Sequence, residues 1–143
     1  MRLKATFLSA ALAMAAMPAH AGNLSVSDAW FRALPAGLPA GGYFTIRNSG
    51  DTNAVITGAE SESCGMTMLH RTVNNGGMTR MDMVQNVTVP AHGSFSFAPG
   101  GYHIMCMQPS AEVSPGSTIT VTLHFADGTK LDAKFDVKDA NAQ

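Results

Sequence analysis

The apolar residues of this chain fall in short runs, broken at intervals of roughly eight to twelve residues by Gly, Pro, Asn or Asp, the spacing of an all-β sandwich or barrel. No stretch of the mature chain keeps the 3.6-residue period of an amphipathic helix. Strands are expected over residues 24–31, 42–48, 54–61, 66–73, 78–84, 93–97, 102–107, 118–125 and 131–137. The clearest is Thr118 to Phe125, which alternates apolar and polar residues before a turn over Ala126 to Thr129 and a return strand from Leu131 to Val137. Leu34 to Ala40, with two prolines, reads as a loop.

The N-terminus carries an address and not a fold. Arg2 and Lys4 precede an apolar stretch from Ala5 to Met17, and Ala19-His20-Ala21 supplies a small-x-small cleavage pattern. A signal peptide of residues 1–21 is expected, and with it export. The stretch is too short for a membrane span, which takes ~20 apolar residues, and no later segment qualifies. Residues 22–137 then form one β-sandwich domain, and 138–143 a short flexible tail. After cleavage the formal charge is −3 with no basic run, so nucleic acid and membrane insertion are not expected.

Two cysteines, Cys64 and Cys106, enter a compartment that permits disulfides. On a straight strand Cys64 would sit roughly 20 Å up-chain from His70, at ~3.3 Å per residue. Gly65 offers a bend that would bring the two sulfurs together, and the sequence leaves both states open. There is no CxxC motif.

Methionine is the anomaly. Seven of the ten lie in the mature chain, all between Met66 and Met107. A methionine cluster ordinarily fills core gaps, but position argues otherwise here. Met66 to Val73 and Met78 to Val84 flank Asn74-Asn75-Gly76-Gly77, which reads as a hairpin loop. If Val73 pairs with Met78, His70 falls opposite Met81 and Met68 opposite Met83, and the period of two puts all four on one face. A second group follows the turn at Ala98 to Gly101: in Tyr102-His-Ile-Met-Cys-Met107, alternation sends His103, Met105 and Met107 one way and Ile104 and Cys106 the other.

Two imidazoles and two thioethers from these strands make a neutral, soft donor set. It suits Cu(I) and not the oxygen-seeking Mg²⁺, Ca²⁺ or Mn²⁺, and zinc sites rely on thiolate, imidazole and carboxylate. The expected ligands are His70, Met81, His103 and Met105, with Met68, Met83 and Met107 as an outer rim and Met66 and Met78 structural. Trp30 is read as core, His92 as a solvated turn residue, His124 as packing and Arg71 as a solvated strand charge.

The spacing His70-x10-Met81-x21-His103-x-Met105 resembles the signature of the periplasmic copper chaperones called PCuAC. Asp28-Ala-Trp-Phe-Arg32, Gly42-Tyr-Phe-Thr-Ile-Arg-Asn48 and Pro99-Gly-Gly-Tyr-His103 look like that family's framework, and the resemblance runs from about Val26 to Val137. It implies a cupredoxin-like Greek-key β-sandwich or barrel, a surface Cu(I) site made by His70, Met81, His103 and Met105, and delivery of copper to the CuA centre of cytochrome c oxidase subunit II. Sco-type thiol proteins are implied as companions, and a monomer is expected. Many members also carry a Met- and His-rich C-terminal tail; no His or Met follows His124 here.

Two other function classes make different demands. A blue-copper electron carrier needs a cysteine ligand beside its histidines and methionine, whereas Cys106 is expected to face away from His103 and Met105. A structural or adhesive sandwich needs no histidine at all. An enzyme is not expected: there is no nucleophile elbow, HExxH motif or phosphate-cradling glycine loop.

Overall fold

A computed structural model of the chain describes residues 19–143. The expected leader thus lies outside the described residues, apart from its last three. Those three, Ala19–Ala21, form β1, which pairs antiparallel with the start of β2 (Leu24–Arg32). Then follow β3 (Ala40–Asn48), β4 (Ala54–Glu60), β5 (Cys64–Asn75), β6 (Met78–Met83), β7 (Val87–Val89), β8 (Gly93–Phe97), β9 (Tyr102–Pro109), β10 (Thr118–Phe125) and β11 (Lys130–Lys138). Every strand expected from the sequence forms; β1 and β7, each three residues long, are additions too short to show a period. The loop after β2 holds one turn of 3-10 helix at Pro35–Gly37.

Hydrogen bonding joins the strands in the order β6-β5-β9-β3-β2-β11-β10-β4-β7, with β1 on β2 and β8 on β3. The sheet curls until β4 returns against β5, where the Thr67 hydroxyl donates to the Ala59 carbonyl. The enclosed core contains Phe31, Phe44, Ile46, Ile104, Val121, Leu123 and Phe135, all fully buried. Phe44 stacks on Phe97 with ring centroids 4.3 Å apart, and Phe31 meets Phe135 at 5.2 Å. Each such side chain contributes about 1.5–3 kcal/mol by leaving water. The C-terminal hairpin forms as its alternation predicts, with Leu123 opposite Leu131 and Gly128 at φ 87° in the turn.

Three expectations change. Trp30 is not core. A bulge between Ser27 and Trp30, with Asp28 at φ 53°, inserts one residue into β2, so the alternation begun by Leu24 and Val26 turns Phe31 inward and Trp30 outward. On the outer face Trp30 meets Tyr43 at 4.8 Å, with Lys138 Nζ 4.8 Å above its ring. His124 is likewise outward, because Leu123 and Phe125 take the core positions; its Nε2 lies 3.1 Å from Glu60.

The β5–β6 hairpin is the third. Gly76 and Gly77 take φ of 60° and 87°, which a two-residue turn of this hand requires, so Asn74 and Asn75 stay in the strand and Asn75 pairs with Met78. The register moves by two residues: His70 stands opposite Met83, and Met81 opposite Thr72. Since two is the side-chain period, no residue changes face. At the C-terminus Lys138 belongs to β11, and the Ala142 carbonyl accepts a 3.0 Å hydrogen bond from Arg32 Nε.

Candidate metal centre

The site is built on the β5–β9 ladder. Its registers set Met66 opposite Met107, Met68 opposite Met105 and His70 opposite His103. Leu69 and Ile104, of the other parity, are buried in the core, so these six side chains share the outer face. The imidazoles of His70 and His103 are 5.7 Å apart between centroids and inclined at 85°.

His103 is 3% exposed. Its Nδ1–H donates to the Gly101 carbonyl at 3.2 Å, which assigns the ring's lone pair to Nε2. That Nε2 is buried and has no hydrogen-bond partner, and the same holds for His70 Nδ1. An unpaired buried polar atom costs about 1–3 kcal/mol. Two of them on facing rings are what a metal-binding pair requires before its ion arrives. Burial holds the His103 pKa below its ordinary value; the Gly101 hydrogen bond raises it less, and the charge of His70 lowers it further. The ring is therefore neutral, the form that ligates, at physiological pH.

Tyr43 walls the site on the β3 side, its ring 6.4 Å from that of His103. Its hydroxyl lies over Gly41, the residue opposite Met105, where a β-carbon would stand 2.8 Å from it. Sequence reading missed this role, because Tyr43 reads as an ordinary strand aromatic. The signal was Gly41 two residues away, a missing side chain where the ring lies flat.

The four expected ligands are not equally close in the ladder. His70, His103 and Met105 sit on adjacent rungs, with Met105 half-buried. Met81 is one rung beyond His70 on β6 and 55% exposed, while Met83, directly across from His70, is 69% exposed. Met68 and Met107 are half-buried, and Met66 and Met78 are exposed. Among the described residues no three of His, Cys, Asp and Glu come together. The neighbouring side chains on the same face are thioethers, which are soft donors.

Cys64 and Cys106 form a disulfide, their Cα atoms 5.4 Å apart. Cys106 is fully buried on the core side, away from the histidines, and Gly65 lies so close to Gln108 that a β-carbon would strike it. A thiolate ligand is thereby removed, and with it the blue-copper arrangement. Arg71 points away from His70 to solvent, 4.0 Å from Asp82, and His92 contacts Asp51 in an exposed turn.

Residues 24–137 match the family described as LpqE-like. The chain belongs to that family. This LpqE-like chain is 36% identical over 121 residues to "Putative lipoprotein Lxx21020" of Leifsonia xyli subsp. xyli, across 84% of its own length and 72% of the relative's. It is 26% identical to "Uncharacterized protein RP573" of Rickettsia prowazekii and spans 55% of that protein. Among solved structures, CuI-DR1885 from Deinococcus radiodurans superposes with a TM-score of 0.64 at 30% identity, over 80% of this chain and 77% of that one. The copper-bound PCuAC domain of PmoF2 gives 0.71 at 22% identity, over 86% and 99%. The cupredoxin-like β-sandwich and the PCuAC resemblance are borne out.

Proposed function

We propose that this chain is an exported copper carrier, which binds one Cu(I) through His70, Met81, His103 and Met105 and passes it to another protein. The observation that carries the reading is the pair of buried, unpartnered ring nitrogens, His70 Nδ1 and His103 Nε2, on a face lined with methionine. The donor set fits the ion: the two thioethers are soft and carry no proton to lose, and burial holds the His103 imidazole in its neutral, ligating form. Copper in solved relatives of the same fold supports it. Neutral thioethers hold Cu(I) less firmly than thiolates, and the site lies on an outer sheet face and not in a closed cavity; both favour transfer over storage or catalysis.

The recipient in this reading is the CuA centre of cytochrome c oxidase subunit II, with a Sco-type protein as companion, in the periplasm. Residues 1–21 act as the leader; cleavage after Ala21 removes β1 and leaves β2 paired with β3 and β11. The carrier works as a monomer.

The test is hand-over. Cu(I)-loaded protein is mixed anaerobically with the copper-free CuA domain, the two are separated, and copper is counted in each. Copper in the acceptor fraction, exceeding that released to buffer alone, is expected. Copper remaining wholly with the donor contradicts the delivery role.

A further inference from the structure

We propose that Met66, Met68 and Met107 form a second soft-metal site, which holds a monovalent ion such as Cu(I) by three neutral thioether sulfurs next to the histidine pair. It goes beyond the carrier reading and shares no ligand with the histidine site.

The first ground is placement. Met66 stands directly opposite Met107, and Met68 is on the next rung toward the histidines. Opposed β-carbons lie ~4.5–5.5 Å apart across a ladder, and successive rungs on one face are ~6.6 Å apart. Three rotatable bonds let each sulfur swing through several ångströms, so the three reach a common point above the ladder.

The second ground is that packing does not account for them. None of the three belongs to the core or to the apolar side chains packed against it, and Met66 is 58% exposed. The same molecule shows what it places on an outer face that is merely solvated. On β10 and β11 those positions are threonine, aspartate and lysine, hydrogen-bonded across the strands as Thr118 to Asp136, Thr122 to Asp132 and Lys134 to Thr120. On β5 and β9 the equivalent positions are methionine, a poorer strand former with costly side-chain freedom.

The third ground is bracing. The Cys64–Cys106 disulfide ties β5 to β9 at this end, Gly65 allows close approach to Gln108, and Thr67 anchors β5 to β4 through the Ala59 carbonyl. The backbone carrying the three thioethers is thus fixed while the side chains remain free to close on an ion. Met105, across from Met68, lies between this position and the histidines, so an ion at one is a single rung from the other.

The experiment is an anaerobic titration with Ag(I), a closed-shell soft ion, of the full chain labelled at the methionine methyl groups and followed by NMR. One equivalent is expected to move the Met81 and Met105 methyls and the ring resonances of His70 and His103, and a second to move the methyls of Met66, Met68 and Met107. The M66L/M68L/M107L variant, apolar volume kept, should lose the second equivalent and keep the first, with unchanged Met78 signals reporting an intact fold. Saturation at one equivalent with the three methyls unmoved overturns the proposal, as does a second equivalent read at Met78 and Met83. If the three methyls respond while Met105 and the rings do not, the histidine reading fails and this one stands.

Discussion

His70 and His103 face each other across neighbouring antiparallel strands, with ring planes nearly perpendicular and one buried nitrogen on each ring lacking a partner. This geometry follows from a chain of causes. The double-glycine turn fixes β6 on β5, the disulfide and Thr67 fix the far end of β5, and alternation puts both imidazoles on the outer face while Leu69 and Ile104 take the core.

The fourth ligand can be distinguished from its neighbour. Met81→Ala should weaken Cu(I) retention by at least about tenfold, or ~1.4 kcal/mol, and Met83→Ala by little, although Met83 is nearer to His70 in register. Competition with a chelating probe reads this. The reverse order would move the ligand to Met83.

Acid should destabilise the copper-free chain. The folded-state pKa of His103 is depressed by burial, so below the free value of ~6.5 the unfolded chain binds more protons than the folded one. The contribution is in full effect above ~6.5 and is lost as pH falls from there through the lower folded value. Urea midpoints of the parent should decline across this window, and His103→Gln should flatten the decline. A parent profile identical to that of the variant would contradict the assignment.

The disulfide should matter for stability and not for copper. It closes a separation of 42 residues, worth about 4 kcal/mol by chain entropy. The Cys64→Ser/Cys106→Ser variant should unfold at much lower denaturant yet bind the same first equivalent of Cu(I), since Cys106 is buried on the core side. An unchanged midpoint would mean the bond constrains nothing.

Gly42 has no room for a methyl group. A β-carbon there would lie 2.5 Å from the ring of Phe31, which is fully buried and cannot move aside. Gly42→Ala should therefore cost about 1–3 kcal/mol through overpacking. Thermal unfolding measures it, and a neutral result would show that the β2–β3 contact yields easily.

The strands were legible because one face is buried: the Ile119, Val121, Leu123 alternation permits one assignment. The shared face of the histidines and methionines was legible for the same reason, and it survived a wrong register because parity is unaffected by a shift of two. What the sequence hid were departures from regular pairing. The bulge at Asp28 that turns Trp30 outward depends on a positive φ at a residue with no requirement for it. The disulfide joins residues that are not partners in the ladder, beside Gln108 at φ 49°, and the choice between a four-residue and a two-residue loop depended on whether Asn74 and Asn75 or the glycines took the turn. The orphaned ring nitrogens, which carry most weight, depend on burial and hydrogen bonding that no spacing rule encodes.

The central claim is tested most directly by anaerobic Cu(I) titration against a chelating probe, for the parent, Met81→Ala and His103→Ala. The parent should retain a first, tightest equivalent that both variants hold much more weakly. Equal retention of that equivalent by all three proteins would contradict the site.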